Sequence, residues 1–298
     1  MSQLVKKIRT SAGDCQIDYN ALANLPTLSN PNLLINSDFR NPVNQRGLTT
    51  YTGGTQKCYT IDRWCTGEQD YSRTVDVVDG GITITNPNTT HIGTLQQIFE
   101  HTLPQGDYTL TLKVKEMTGS AGTMSCGGSA SGTKKQISVG VNTMTLTSAT
   151  VSSFIIYLAP SSSITLEWAK LECGTTATPF VPRIYAEEVA MCQRYYVQLK
   201  TIYPLMIAQR NNAGTSAYMF VPLPVALRNA PSITFVNAKT MKNGLGGSFY
   251  DLTDVTCVGV CNSGVTLQVT AAENFEAGVP YFLILPESGY IKFDAEVY

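Results

Sequence analysis

Charge is scarce in this sequence. Asp, Glu, Lys and Arg make up 14% of its 298 residues, against about 25% in a typical soluble protein. The 21 basic and 22 acidic residues leave a net charge of −1, so the electrostatic footprint of a nucleic-acid or anionic-membrane binder is missing. There are two histidines, His91 and His101, and no GxSxG, HExxH or phosphate-cradling glycine loop. Glu187 and Glu188 are neighbours that diverge by about 100° on a helix, so they cannot face each other across a cleft as a glycosidase pair must. These absences lead us to expect no enzyme. No apolar run approaches the roughly 20 residues of a membrane helix. Met1 to Lys7 runs into polar sequence without the apolar core of a secretion signal. We expect a soluble product made in a cytoplasm, with no membrane insertion. The eight cysteines contain no CxxC, and only Cys257 and Cys261 lie close together. A structural zinc site takes four ligands, so these residues are read as small apolar side chains.

Ser, Thr, Asn and Gly supply the polarity that charge does not, and the apolar residues among them follow a period of two. In Tyr108–Lys115, Tyr108, Leu110, Leu112 and Val114 alternate with polar residues and should share one buried face. Ile164–Lys170 repeats the pattern, which sends Trp168 inward. Phe154–Leu158 is continuously apolar, as a central strand should be. Val75–Val78 and Ile82–Thr85 flank Asp79-Gly80-Gly81, a hairpin whose glycines tolerate positive φ. The Gly/Ser-rich stretch between Thr118 and Thr133 reads as a mobile loop. Beyond residue 200, Tyr218–Pro224, Ser232–Val236, Val265–Val269, Tyr281–Leu285 and Ile291–Val297 are strand candidates. In the last, Ile291, Phe293, Ala295 and Val297 face inward, and Lys292, Asp294 and Glu296 face outward.

One segment has helical spacing. Tyr185, Val189, Cys192, Tyr196 and Leu199 fall on one face, with Glu187 and Glu188 where the helix dipole favours negative charge. We expect a helix over 184–199, packed either around a threefold axis or on a sheet of its own protomer. The expected fold class is all-β: a jelly-roll sandwich over 31–183, the linking amphipathic helix, and a second, smaller C-terminal β domain over 200–298. Residues 1–30 have too few apolar side chains to fold alone and should need a partner surface.

Several segments resemble recurring pieces of bacteriophage tail-fibre and related virion proteins. Gly13–Pro26 is similar to their "IDY-x-x-L-x-N-x-P" attachment segment. Asn32–Gly47 with Tyr59–Trp64 resembles the opening of their carbohydrate-binding-like jelly rolls. Trp168–Phe180 with Cys192–Tyr196 resembles the "KLE-x-G-x-x-ATPF…CQRYY" junction. Phe220–Leu223 with Leu227–Ser232 resembles the "F-V-P-x…R-x-x-P-[ST]" segment.

The resemblance implies a virion protein, a tail fibre or receptor-binding protein, that is a homotrimer. It would attach to other virion proteins through Ile17, Asp18, Tyr19, Leu22, Leu25 and Pro26 and turn its β domains toward a host-surface glycan. A head fibre, decoration or baseplate spacer without a ligand is the first alternative, and a capsule depolymerase the second. Trp64, Tyr203, Tyr218 and Tyr250 are the candidate sugar-stacking residues. Core packing is favoured over stacking for both tryptophans, and Arg63 is expected to clamp Asp62 or Asp38. No cofactor is expected, and Asp38 with nearby backbone oxygens is a candidate calcium site.

Overall fold

The computed structural model describes residues 8–10, 13–15, 29–54, 56–67, 73–120, 122–129, 131–200, 207–208, 214–242 and 248–296. The chain is nearly all β, with a single helix, Tyr185–Gln193, among the described residues. The attachment motif Ile17–Pro26 and Tyr203 lie outside them.

The larger assembly of strands is held together by two long ones. Gly93–Thr118 and Gly140–Leu158 pair antiparallel over most of their length. Leu146 pairs with Tyr108 and Ser153 with Ile98, and three register shifts lie between these pairs, so both strands bend there. On one side of the bend, Thr123–Gly128 and Lys134–Gln136 extend the sheet. On the other, Ser162–Cys173, Gly81–Asn86, Thr74–Val78 and Thr50–Thr52 do so. Leu95, Met124, Phe154 and Ile156 from the first half share one core with Leu110, Leu112, Leu146 and Leu166 from the second. The bent strands thus fold over a common core as a jelly-roll-like sandwich. Bulges are the usual device by which strands turn such corners.

Trp64 is at the centre of this core. It meets Phe39 edge-on at 5.0 Å and Phe154 at 6.0 Å between ring centroids. Its indole N–H donates to the Asn36 carbonyl at 2.7 Å, which satisfies the one polar group that burial would otherwise strand. The predicted hairpin forms with Val78 opposite Gly81, and Gly80 takes φ +72° in the turn. Tyr108, Leu110, Leu112 and Val114 are all buried.

The second core lies beyond residue 196. Tyr290–Asp294 is the central strand of a three-stranded sheet, between Tyr196–Lys200 and Ser232–Val236. A six-stranded sheet contains Gly214–Pro222, Gly264–Phe275, Phe249–Cys261, Lys239–Lys242, Tyr281–Ile284 and Ile207–Ala208. Val197, Leu267, Val269, Tyr281, Ile291 and Phe293 belong to the one core beneath both sheets.

Four expectations are corrected here. The helix stops at Gln193, and Tyr196–Lys200 is a strand. Tyr196 and Leu199 therefore do not share a helical face with Tyr185, Val189 and Cys192. Val197 and Leu199 point to the second core, while Tyr196 points the opposite way. Pairing with Tyr290–Asp294 gave these residues a better partner than four helical turns could. The Gly/Ser-rich stretch contains a strand, Thr123–Gly128, with Met124, Ser125 and Cys126 buried. Backbone pairing with Val151–Tyr157 overrides its turn-like composition. Trp168 points away from the core, because a bulge between Leu166 and Trp168 flips the alternation so that Ala169 and Leu171 go inward. Glu296 is buried rather than solvent-facing.

Candidate functional site

The flipped alternation after Leu166 puts Trp168, Lys170 and Glu172 on the outer face of their strand. All three hold the segment that follows. Lys170 and Glu172 form a buried pair at 3.1 Å. The Lys170 ammonium donates to the Thr178 hydroxyl at 2.6 Å and to the Pro179 carbonyl at 3.0 Å. Glu172 accepts the Thr178 backbone N–H at 2.9 Å. Two residues on, Phe180 stacks on Trp168 at 4.8 Å and 10°, and the Arg40 guanidinium lies 5.6 Å from the Phe180 ring. The linker thus leaves the sandwich along a fixed path.

The path ends at a seam between the two cores. The Ile61–Trp64 turn holds Arg63 at φ +70°, a conformation that costs a non-glycine residue about 1–2 kcal/mol. There its guanidinium is buried against the Glu296 carboxylate of the second module. Glu296 also accepts the Arg63 backbone N–H at 3.2 Å. The other arm of Arg63 donates to the Ile98 carbonyl at 2.6 Å, and its plane lies 3.6 Å from the Tyr195 ring centroid. Arg46 repeats the arrangement. It pairs with Asp62 at 2.9 Å and Glu296 at 3.4 Å and lies 3.9 Å from the Tyr196 ring. Gln45 donates both to Asp62 at 2.9 Å and to the Tyr196 carbonyl at 2.8 Å. At the rim, Arg194 pairs with Glu100 at 2.8 Å, and the Tyr195 hydroxyl donates to the same carboxylate at 3.1 Å. The Arg228 backbone N–H donates to the Arg194 carbonyl at 2.9 Å, and its guanidinium donates to the Ala295 carbonyl at 3.0 Å.

Burial sets the electrostatics of the seam. It pushes Asp62 up to about 6, against the opposing pull of Arg46 and Gln45 and with help from Glu296. Burial alone would lower Arg46 and Arg63, but the carboxylates facing them outweigh it and raise both. Burial would raise Glu100, but hydrogen bonds from Arg194 and Tyr195 hold it below the ordinary carboxylate value. Cys192, facing the seam from the helix, is pushed well above an ordinary thiol by burial and by the charges of Asp62, Glu188 and Glu296.

Two hollows flank this region. A small one of about 200 Å³ lies between the Asn32–Asn41 loop and the helix start. Its charged groups are already used. Asp38 gives its two carboxylate oxygens to Arg40 at 2.7 and 3.1 Å. Arg183 bridges Glu188 at 3.1 Å and the Leu34 carbonyl at 2.8 Å. Among the described residues no group of three His, Cys, Asp or Glu side chains is placed to hold a metal. A larger cleft of about 780 Å³ opens between the modules above Arg46.

The remaining predicted positions do not converge. Trp64 is wholly buried. Tyr218 is exposed on the outer face of its strand, and Tyr250 packs edge-on to Tyr281 at 5.8 Å. Tyr185 is exposed, next to exposed Val181 and Ile184, while Cys192 is buried. Arg63 clamps neither Asp62 nor Asp38. Asp62 goes to Arg46 and Asp38 to Arg40. Glu296, Arg46, Glu100 and Arg194 were missed as a group. The only signal for Glu296 was its parity with Lys292 and Asp294. Parity gives the face of the sheet but not what covers that face.

No family model matches the sequence, and no curated protein does. Among solved structures, the N-terminal CBM22-1–CBM22-2 tandem domain from Paenibacillus barcinonensis Xyn10C is similar at 10% identity. The match covers 90% of this chain and 98% of that one, with a TM-score of 0.28.

Proposed function

We propose that this chain is a non-catalytic bacteriophage virion protein, a tail fibre or receptor-binding protein, that joins the particle through its N-terminal segment and turns two clamped β modules toward the host surface. One observation carries the reading: three of the four segments that resemble phage fibre proteins contribute residues to the seam or to the linker that leads to it. Gln45, Arg46, Asp62 and Arg63 come from the second resembling segment, and Lys170, Glu172, Phe180, Arg194, Tyr195 and Tyr196 from the third. Arg228 comes from the fourth. Each has a mechanical task, to fix the linker or to lock one module on the other.

Fixed modules suit an attachment protein. Domains of one chain move relative to each other unless something prevents it. A preorganised arm loses less freedom on binding, and several weak contacts on one particle gain strongly in avidity. At the seam and linker the carboxylates do not suit the depolymerase alternative. Asp62, Glu100, Glu172, Glu188 and Glu296 each have an arginine or lysine partner, whereas glycoside hydrolysis needs a carboxylate pair open to substrate. The exposed trio Val181, Ile184 and Tyr185 is where three copies would pack, and the native mass of the assembly tests that.

An antibody to the chain should decorate intact particles, and the purified protein should slow their adsorption to host cells. Undecorated particles would refute the reading. Decoration without any effect on adsorption would favour the ligand-free spacer.

A further inference from the structure

The clamp leaves one wall of the large cleft unused. That wall is the outer face of the three-stranded sheet. Antiparallel register places Lys292 between Gln198 and Thr234, and Tyr290 between Lys200 and Val236. Residues opposite each other on one face stand about 5 Å apart, so these side chains form one continuous surface. Arg46, lying over Tyr59 and Tyr196, makes the floor, and Thr50 and Thr52 of the jelly roll face the sheet from the other side. At about 780 Å³ the cleft is in the range of small-ligand sites, about 300–1,000 Å³.

The balance of charge says what would enter. The Arg46 guanidinium is neutralised by Asp62 and Glu296. Asp294 is turned down toward that floor, 4.0 Å from Arg46, and accepts the Glu296 backbone N–H at 3.0 Å. Lys200 and Lys292 have no carboxylate partner among the described residues. The Lys292 ammonium lies 4.6 Å from the Tyr290 ring, a position it can leave for an anion at small cost. Besides the Asp294 carboxylate, which is engaged at the floor, the face therefore offers two cations, an aromatic ring, an amide and hydroxyls. Ring C–H faces stack on aromatics, hydroxyls pair with amides and hydroxyls, and carboxylates pair with ammonium groups. A nucleic acid would want a longer basic stripe than two lysines.

We infer that the inter-module cleft binds an acidic oligosaccharide, with its carboxylates on Lys200 and Lys292 and a sugar ring on Tyr290. This rests on the host-surface reading above and gives that surface a chemistry.

The test is calorimetric titration of the full chain with tetragalacturonate and a sialic acid tetramer, and with maltotetraose and a short oligothymidylate for contrast. At least one acidic saccharide should bind ten times or more tighter than maltotetraose, and high salt should weaken it. Lys292→Glu and the exposed Lys200→Glu should each weaken it at least tenfold, while Lys135→Glu, on an exposed strand of the jelly roll, should not. The inference is overturned if no saccharide binds, if maltotetraose binds as well, if oligothymidylate binds tighter, or if both cleft variants bind unchanged. Its failure is separable from that of the host-surface reading. Particles decorated by the antibody, with adsorption slowed equally well by purified wild type and by Lys292→Glu, would sink the cleft and leave the attachment role standing.

Discussion

Replacing Glu296 by glutamine is the sharpest perturbation of the seam. The shape is kept and only the charge is lost. Arg63, 1% exposed, then keeps one backbone acceptor and the Tyr195 ring, while Arg46 keeps Asp62. Removing one member of a buried ion pair costs about 3–5 kcal/mol, chiefly because the other charge stays buried without compensation. For a cooperative unit of this size that corresponds to a fall in Tm of roughly 5–8 °C. Differential scanning calorimetry at neutral pH reads it directly. Independent melting of the modules would add a second, earlier transition. The double variant Arg63→Met with Glu296→Met removes both charges and should return to within about 1–2 kcal/mol of the parent, since apolar replacements of buried pairs are often near neutral. A Glu296→Gln protein that melts within about 1 kcal/mol of the parent would refute the clamp as a source of stability.

Asp62 gives a pH signature. Its folded value of about 6 lies above an unfolded value of about 3.9. The folded state therefore holds the proton more tightly. The stabilising contribution is fully present below about pH 4 and lost as pH rises through about 6, a change on the order of 2–3 kcal/mol. In urea titrations, Asp62→Asn should remove that component, so that the stability gap between variant and parent changes across this window. A constant gap would be inconsistent with a raised Asp62. The thiols should react in order of burial. Exposed Cys173 and Cys261 label first, whereas Cys192 and Cys65, the latter pushed up to about 12 by burial, wait for unfolding. Peptide mapping after timed alkylation checks the order. Phe180→Ala should cost about 1–2 kcal/mol from the lost stack and apolar contact and shift tryptophan emission to the red. Trp64 is wholly buried, so the change would come from Trp168. Unchanged emission would mean that the stack does not form in solution.

Strands whose pattern is governed by a single core were legible in the sequence. Tyr108–Val114, the Asp79-Gly80 hairpin and Ile291–Phe293 all follow from period-two alternation and turn chemistry. Trp168 was not, because one extra residue at a bulge inverts everything after it and composition does not mark the bulge. The helix was half legible. Tyr185 to Gln193 has the spacing and the acidic first turn, but the same apolar residues after Tyr195 fit a strand equally well, and only the distant partner Tyr290–Asp294 decides. The seam was hidden for a similar reason. Arg46, Arg63, Glu100 and Glu296 sit at ordinary polar positions of their own elements, and their burial is created by the meeting of two modules. A period within one element carries no record of that meeting.

The position of Tyr290–Asp294 also fixes an order of events during synthesis. The jelly roll has all its strands once Cys173 has left the ribosome and can close at once. The three-stranded sheet cannot, because its middle strand is translated after both of its neighbours, Tyr196–Lys200 and Ser232–Val236. These wait as unsatisfied edges, the kind of surface that invites wrong pairing while long-range contacts are pending. Glu296 emerges later still. The nascent jelly roll therefore carries Arg63 and Arg46 without their shared carboxylate until Glu296 is made, after every other charged group of the seam.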